Sequence, residues 1–177
     1  MSAAGAISAQ WKGALTGSNT ARLLAERDHQ VLLLEEHPEV GIPVQCAGLV
    51  TPRIFDHTPF PIGDLWQNDL HGAVIYSPDG NAVRFETDAI QAQAMDRARF
   101  DQKMAEAAVA AGVELRVATK AVAAERDEGG ITVTLQHDGQ REDIRARVVV
   151  GADGVRGSVA RWFGLPPVDE TVSAYEV

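Results

Sequence analysis

At 177 residues, 45% of them hydrophobic and 23% charged, the sequence has the composition of a soluble globular protein with room for one core-bearing domain and part of a second. A net charge of −9 and a pI near 4.9 argue against an exposed nucleic-acid surface. The lone cysteine, Cys46, excludes an internal disulfide and suggests a reducing compartment.

The N-terminus, MSAAGAISAQW, lacks the basic and apolar regions of a signal peptide, and no apolar run is long enough to span a membrane. These features point to a cytoplasmic protein. In chain order, Ala6 to Trp11 reads as a first strand, interrupted by Ser8 and Gln10. Residues 17–27 follow as a helix, with Ala21, Leu24 and Ala25 at helical spacing. Val31-Leu32-Leu33-Leu34 is then a wholly apolar run ending in Glu35, the pattern of a strand buried on both faces of a parallel sheet.

Residues 38–65 hold five of the eight prolines and little periodicity, so they read as an ordered loop region. Ala73 to Ser77 and Ala82 to Glu86 flank Pro78-Asp79-Gly80 as a hairpin. A helix comes next, with Phe100, Met104, Ala107, Ala108 and Ala111 on one face and Gly112 as its cap. The runs VELRVATKAVAA, ITVTL and DIRARVVV, separated by Gly129-Gly130 and Asp138-Gly139, read as a three-stranded meander. The last runs into Val148-Val149-Val150 and GADG, a second apolar strand ending where α/β sheets bind ligands.

The turn before the first helix reads Lys12-Gly13-Ala14-Leu15-Thr16-Gly17. A phosphate-cradling G-x-G-x-x-G would have glycine at the first and third of these positions, where Lys12 and Ala14 stand, and at the last, where Gly17 is kept. Glu35 stands where a ribose hydroxyl pair is bound in such units; the alternative is a solvated strand-end carboxylate beside Glu36. The histidines at 29, 37, 57, 71 and 137 have no metal-ligand spacing and read as solvated or capping, and no metal site is expected. No Ser lies in a G-x-S-x-G elbow.

GIPVQCAGLVTPR, Gly41 to Arg53, resembles the flavin-side loop of archaeal-type geranylgeranyl reductases, with Pro43, Cys46, Ala47 and Gly48 at its signature positions. These digeranylgeranylglycerophospholipid reductase-like enzymes use FAD, share the p-hydroxybenzoate-hydroxylase-type fold and saturate isoprenoid chains of lipids. DRARFD, Asp96 to Asp101, resembles the family's R-x-x-F-D at the start of a long helix. GADGVRGSVARWFG resembles the Asp-Gly motif of the wider flavoprotein group, with Gly157 where a serine is usual. The resemblance runs over roughly residues 13–177.

The resemblance implies an α/β fold: a Rossmann-like FAD-binding domain with a β-meander and the beginning of a second α+β substrate domain. The expected parts are a nucleotide unit over 1–37, the flavin-side loop over 38–65, a hairpin excursion over 70–95, the helix, meander and Asp-Gly strand over 96–164, and the substrate-domain start over 165–177. It implies FAD held by Thr16, Gly17, Glu35, Cys46, Ala47, Gly48, Arg97, Ala121, Asp153 and Gly154, with Cys46 beside the isoalloxazine as proton donor or pocket wall. It implies an isoprenoid lipid substrate and peripheral membrane contact in longer members. Because those members are longer and Lys12 and Ala14 replace two glycines, a truncated or impaired copy is expected. Three readings follow: an FAD-dependent isoprenoid-lipid reductase or its N-terminal part, a hydroxylase-like flavin monooxygenase, and a non-catalytic remnant without flavin. The loop from Pro43 to Gly48 argues against the second.

Overall fold

The structure, a computed structural model, describes residues 6–9, 14–155, 157–166, 168–172 and 174, with backbone alone for 6–9 and 14. Its centre is a parallel sheet of β1 (Ala6–Ala9), β2 (Val31–Leu34), β8 (Glu114–Arg116) and β12 (Val149–Gly151), in the order β12-β1-β2-β8. Every residue of β2 is buried, as its unbroken apolar run requires. Successive side chains point to opposite faces, and the two faces meet different layers. Val31 and Leu33 pack with Ala21 of α1 (Ala14–Ala25), Ala108 of α2 (Arg97–Ala110) and Val113. Leu32 and Leu34 pack with Ala121, Ala124, Val133 and Leu135.

Those last residues belong to an antiparallel sheet of β9 (Thr119–Asp127), β10 (Gly130–His137) and β11 (Gln140–Ala146). The meander is therefore present, but its ends differ from the sequence reading. The run from Val113 divides: Glu114–Arg116 joins the parallel sheet, and the meander starts at Thr119. Ala118 makes the break, with φ +48 and its N–H donated to the His37 carbonyl at 2.8 Å. The final run also divides, and β12 is the outermost strand of the parallel sheet. There it is shielded less than β2: Val149 and Val150 are half-buried and Gly151 is exposed, so it is not buried on both faces.

The first strand is observed over Ala6–Ala9, paired on both sides; Gln10 and Trp11 of that reading lie outside the described residues. The helix read at 17–27 runs from Ala14 to Ala25. Helix α2 begins where its side chains dictate, since Asp96 Oδ1 accepts the Arg99 N–H at 3.0 Å as an N-cap. Phe100, Met104 and Ala108 form its buried stripe, and Gly112 at φ +100 ends it.

The region 38–65 contains short elements besides loop: β3 (Leu49–Val50) and 3-10 turns at Pro52–His57 and Gly63–Leu65. Strand β3 joins β7 (Ala92–Met95) and β4 (Trp66–Leu70) in a small antiparallel sheet. Beneath it Leu65, Met95, Phe100 and Met104 form a core, with Phe55 and Phe60 edge-on to Phe100 at 6.2 and 5.8 Å. The hairpin of β5 (Gly72–Tyr76) and β6 (Ala82–Glu86) is formed as read, and nearly all of it is exposed. No described helix is long and apolar enough to cross a membrane.

Candidate functional site

Strand β1 connects to β2 on one side and lies beside β12 on the other. The chain therefore reverses direction across the sheet at the carboxyl end of β1, the place where open α/β sheets bind ligands. Three segments leave that edge: the one entering α1, Glu35 after β2, and Gly151 to Gly154 after β12.

Glu35 is 4% exposed. Its N–H donates to the Arg116 carbonyl at 2.9 Å and its carbonyl accepts the Thr119 N–H at 2.9 Å, so its backbone is fixed by the crossing from β8 to β9. Its Oε1 accepts the His37 N–H at 2.8 Å and lies 2.7 Å from His37 Nδ1. Both of these His37 contacts fall on Oε1 and neither on Oε2. Burial pushes this carboxyl above its ordinary value, against the hydrogen bonds from His37. The burial of Glu35 rules out a solvated strand-end carboxylate; Glu36 beside it is half-buried and pairs with Lys120 at 2.9 Å. Ala121, 1% exposed in β9, packs in the same core cluster as Leu34, the residue before Glu35.

A second cluster forms around the loop from Gly41 to Gly48. Gly41 and Gly48 both hold positive φ, +81 and +71. A Cβ on Gly41 would lie 2.8 Å from the Ala98 carbonyl, and one on Gly48 would lie 2.2 Å from that of Met95. Only glycine allows both the conformation and the approach. The loop is thereby pressed on β7 and the first turn of α2, with the Gly48 carbonyl accepting the Met95 N–H at 3.0 Å. The same packing puts Arg97 beside Gly48, whose Cβ position is 3.5 Å from Arg97 Cβ.

The R-A-R-F-D motif then divides its labour. Phe100 fills the core, and buried Asp101 takes Arg97 Nε at 3.0 Å, restraining the guanidinium. Burial raises the Asp101 pKa, and Arg97 opposes that shift. Cys46 is half-buried and Ala47 exposed on the same loop.

Asp153 has a visible local task. Its Oδ2 accepts the N–H groups of Ser158 and Val159, opening the short helix α3 (Ser158–Trp162). A Cβ at position 157 would fall 2.1 Å from Asp153 Oδ1, so a side chain there would require the carboxylate to shift. Gly154, at φ +70, is exposed. At the start of α1, Thr16 is exposed and Gly17 buried. Lys12 and Gly13 of the turn, and the side chain of Ala14, lie outside the described residues.

The structure thus ties Glu35 to the start of β9, the strand that holds Ala121, and sets Arg97 beside Gly48 of the loop that carries Cys46 and Ala47. It adds two residues that the sequence reading did not single out, His37 and Asp101. The sequence signals were an E-x-H step after an apolar strand and an Arg-Asp pair at i,i+4. The donor set suits a dinucleotide: a fixed carboxylate oxygen can accept from a ribose diol, and a restrained guanidinium can face anionic phosphate. Among the described residues, no three His, Cys, Asp or Glu side chains are placed to hold a metal ion.

The chain is 36% identical over 170 residues to digeranylgeranylglycerophospholipid reductase of Methanosarcina mazei, which covers 90% of this chain and 41% of that protein. It is 32% identical over 149 residues to the protein of the same name from Methanocaldococcus jannaschii, covering 84% of this chain and 38% of that one. It therefore spans about two-fifths of the length of these curated relatives. Among solved structures it superposes on a geranylgeranyl bacteriochlorophyll reductase-like protein from Thermoplasma acidophilum. The TM-score is 0.79 at 25% identity, over 91% of this chain and 42% of that one. Aklavinone-11 hydroxylase, solved with FAD and aklavinone, shares the fold alone, with a TM-score of 0.68 at 22% identity over 91% of this chain and 35% of that one. Residues 64–177 match the profile of the FAD binding domain family, and to that family this chain belongs.

Proposed function

We propose that this chain is the cofactor-binding part of an FAD-dependent reductase that saturates double bonds of an isoprenoid lipid. The observation that carries the reading is the buried Glu35 carboxylate at the carboxyl edge of β2, fixed by His37 through Oε1 alone among its side-chain oxygens. A buried ionisable group at a ligand-binding edge is a mark of a binding site. The similarity to digeranylgeranylglycerophospholipid reductases supplies the reaction class and the lipid.

In this reading Glu35 accepts from the adenosine ribose hydroxyls, and Ala121 leaves room for the adenine ring beside it. Thr16 and Gly17 offer first-turn N–H groups of α1 to the pyrophosphate. Arg97, restrained by Asp101, neutralises the phosphate or ribose region, and Asp153 with Gly154 shapes the segment after β12. When bound, FAD in its reduced form supplies the hydride for one carbon of the double bond. Cys46 and the small residues Ala47 and Gly48 line the flavin side, where the Cys46 thiol either gives a proton to the other carbon or serves as a wall of the pocket.

Lys12 and Ala14 weaken the phosphate turn in this account, because a side chain takes space a glycine leaves to phosphate oxygens. Purified chain incubated with FAD, dithionite and a geranylgeranyl glycerophospholipid tests the activity by lipid mass spectrometry. Two added hydrogens per double bond support the reductase. Flavin uptake with unchanged lipid leaves a cofactor-binding unit without turnover. A folded chain that neither binds flavin nor alters lipid supports the remnant reading, which Lys12 and Ala14 favour.

A further inference from the structure

We propose that His37 is the positioning residue of the cofactor site, orienting the Glu35 carboxylate so that Oε2 faces the adenosine ribose. The inference rests on the reading of Glu35 as the ribose acceptor. Both His37 donors converge on one oxygen: the backbone N–H reaches Oε1 at 2.8 Å and the ring Nδ1 lies 2.7 Å from it. Two donors on Oε1 leave the other oxygen as the acceptor on offer, since an ionised carboxylate has about four lone-pair sites. The ring must carry its proton on Nδ1 to donate, which leaves Nε2 as the acceptor of the neutral imidazole.

The pair is anchored from both ends. The Glu35 backbone is bonded to Arg116 and Thr119, and the His37 carbonyl accepts the Ala118 N–H at 2.8 Å. Ala118 holds φ +48 to make that bond, a conformation disfavoured for alanine. Such local strain persists where the surrounding structure over-determines it, and here it fixes the backbone on which His37 sits. The His37 side chain is 29% exposed and that of Glu35 6%, so the imidazole lies at the outer side of the buried carboxylate. A carboxylate held by one backbone donor alone can rotate; the ring removes that freedom before the ligand arrives. Preorganisation of this kind raises affinity by lowering the ordering cost on binding.

The test measures FAD and ADP binding by calorimetry to the full chain and its His37→Ala, His37→Asn and Glu35→Ala variants, with melting temperatures alongside. Asparagine places an amide N–H near the Nδ1 position and keeps the donor. The expected result is about tenfold weaker FAD and ADP binding for H37A, recovery to within about threefold for H37N, and a melting temperature common to both. H37A binding both ligands as the wild type does, while E35A loses them, overturns the role of His37 and leaves the ribose reading standing. Equal losses in H37A and H37N, with a lowered melting temperature, make the residue structural and also overturn it. Wild type binding neither ligand, or E35A binding as wild type, removes the ribose reading and the inference together.

Discussion

Strand β2 and the hairpin of β5 and β6 are both rich in apolar residues, and their surroundings could hardly differ more. Val31, Leu32, Leu33 and Leu34 are 1 to 7% exposed, whereas Ile75, Tyr76, Val83 and Phe85 are 48 to 71% exposed. The first strand lies between two layers, helices on one face and the meander on the other. The hairpin is a two-stranded ribbon outside the three hydrophobic cores formed by the described residues. Apolar sequence therefore specifies a strand, but stability comes from what covers it. The site follows the same division, because Glu35 inherits its fixed position from β2.

The comparison breaks most visibly at Leu34. Leu34→Ala should cost about 3 kcal/mol, because the side chain is 1% exposed between layers that cannot collapse onto the void. Urea unfolding checks the value. Next comes the pair that restrains the flavin-side corner. Arg97→Ala should cost about 2 kcal/mol by leaving the buried Asp101 carboxylate unpaired, less than for a fully buried pair because the Arg97 side chain is 17% exposed. Adding Asp101→Asn should recover much of that loss in the same assay without restoring flavin affinity.

Glu35→Gln moves stability and binding in opposite directions. Burial raises the Glu35 pKa above its ordinary 4.5, so its protonated form supports the fold below that value and the support is lost as pH rises through the raised pKa. The glutamine variant should therefore gain stability relative to wild type as pH rises from 4.5 towards neutral. It should bind FAD about tenfold more weakly, as fluorescence titration would report. The smallest effect belongs to the hairpin: Ile75→Thr should stay within about 0.5 kcal/mol of wild type in urea unfolding, since Ile75 is already 62% exposed. A loss as large as that of Leu34→Ala would mean that the hairpin face is covered in solution.

How far these features were legible depended on whether a local pattern stood for a buried one. Val31 to Leu34 announced its strand by an unbroken apolar run, and Phe100, Met104, Ala108 and Gly112 announced α2 by stripe and stop. Pro78-Asp79-Gly80 marked the hairpin. The kink at Ala118 was silent, because a left-handed alanine has no residue signature and exists for a hydrogen bond made to a segment far back in the chain. Strands β4 and β7 were also silent, since WQNDL and AQAM lack alternation and are defined by pairing with each other.

The site was half-legible for the same reason. Glu35 was found by its place after an apolar strand, but His37 gains meaning only where the backbone returns its ring to the preceding carboxylate. The loop from Gly41 to Gly48 came from family resemblance, and the structure supplies its cause in two left-handed glycines pressed on β7 and α2.

The measurement that tests the account most directly is the visible spectrum and flavin fluorescence of the purified chain after FAD addition and desalting, beside the Lys12→Gly, Ala14→Gly double variant. The account predicts a perturbed, quenched flavin held by the wild-type chain and held about tenfold more tightly or better by the double variant. A folded wild type and a folded double variant that both emerge colourless would contradict it, since the Glu35 and Arg97 corners would then serve the fold without a cofactor.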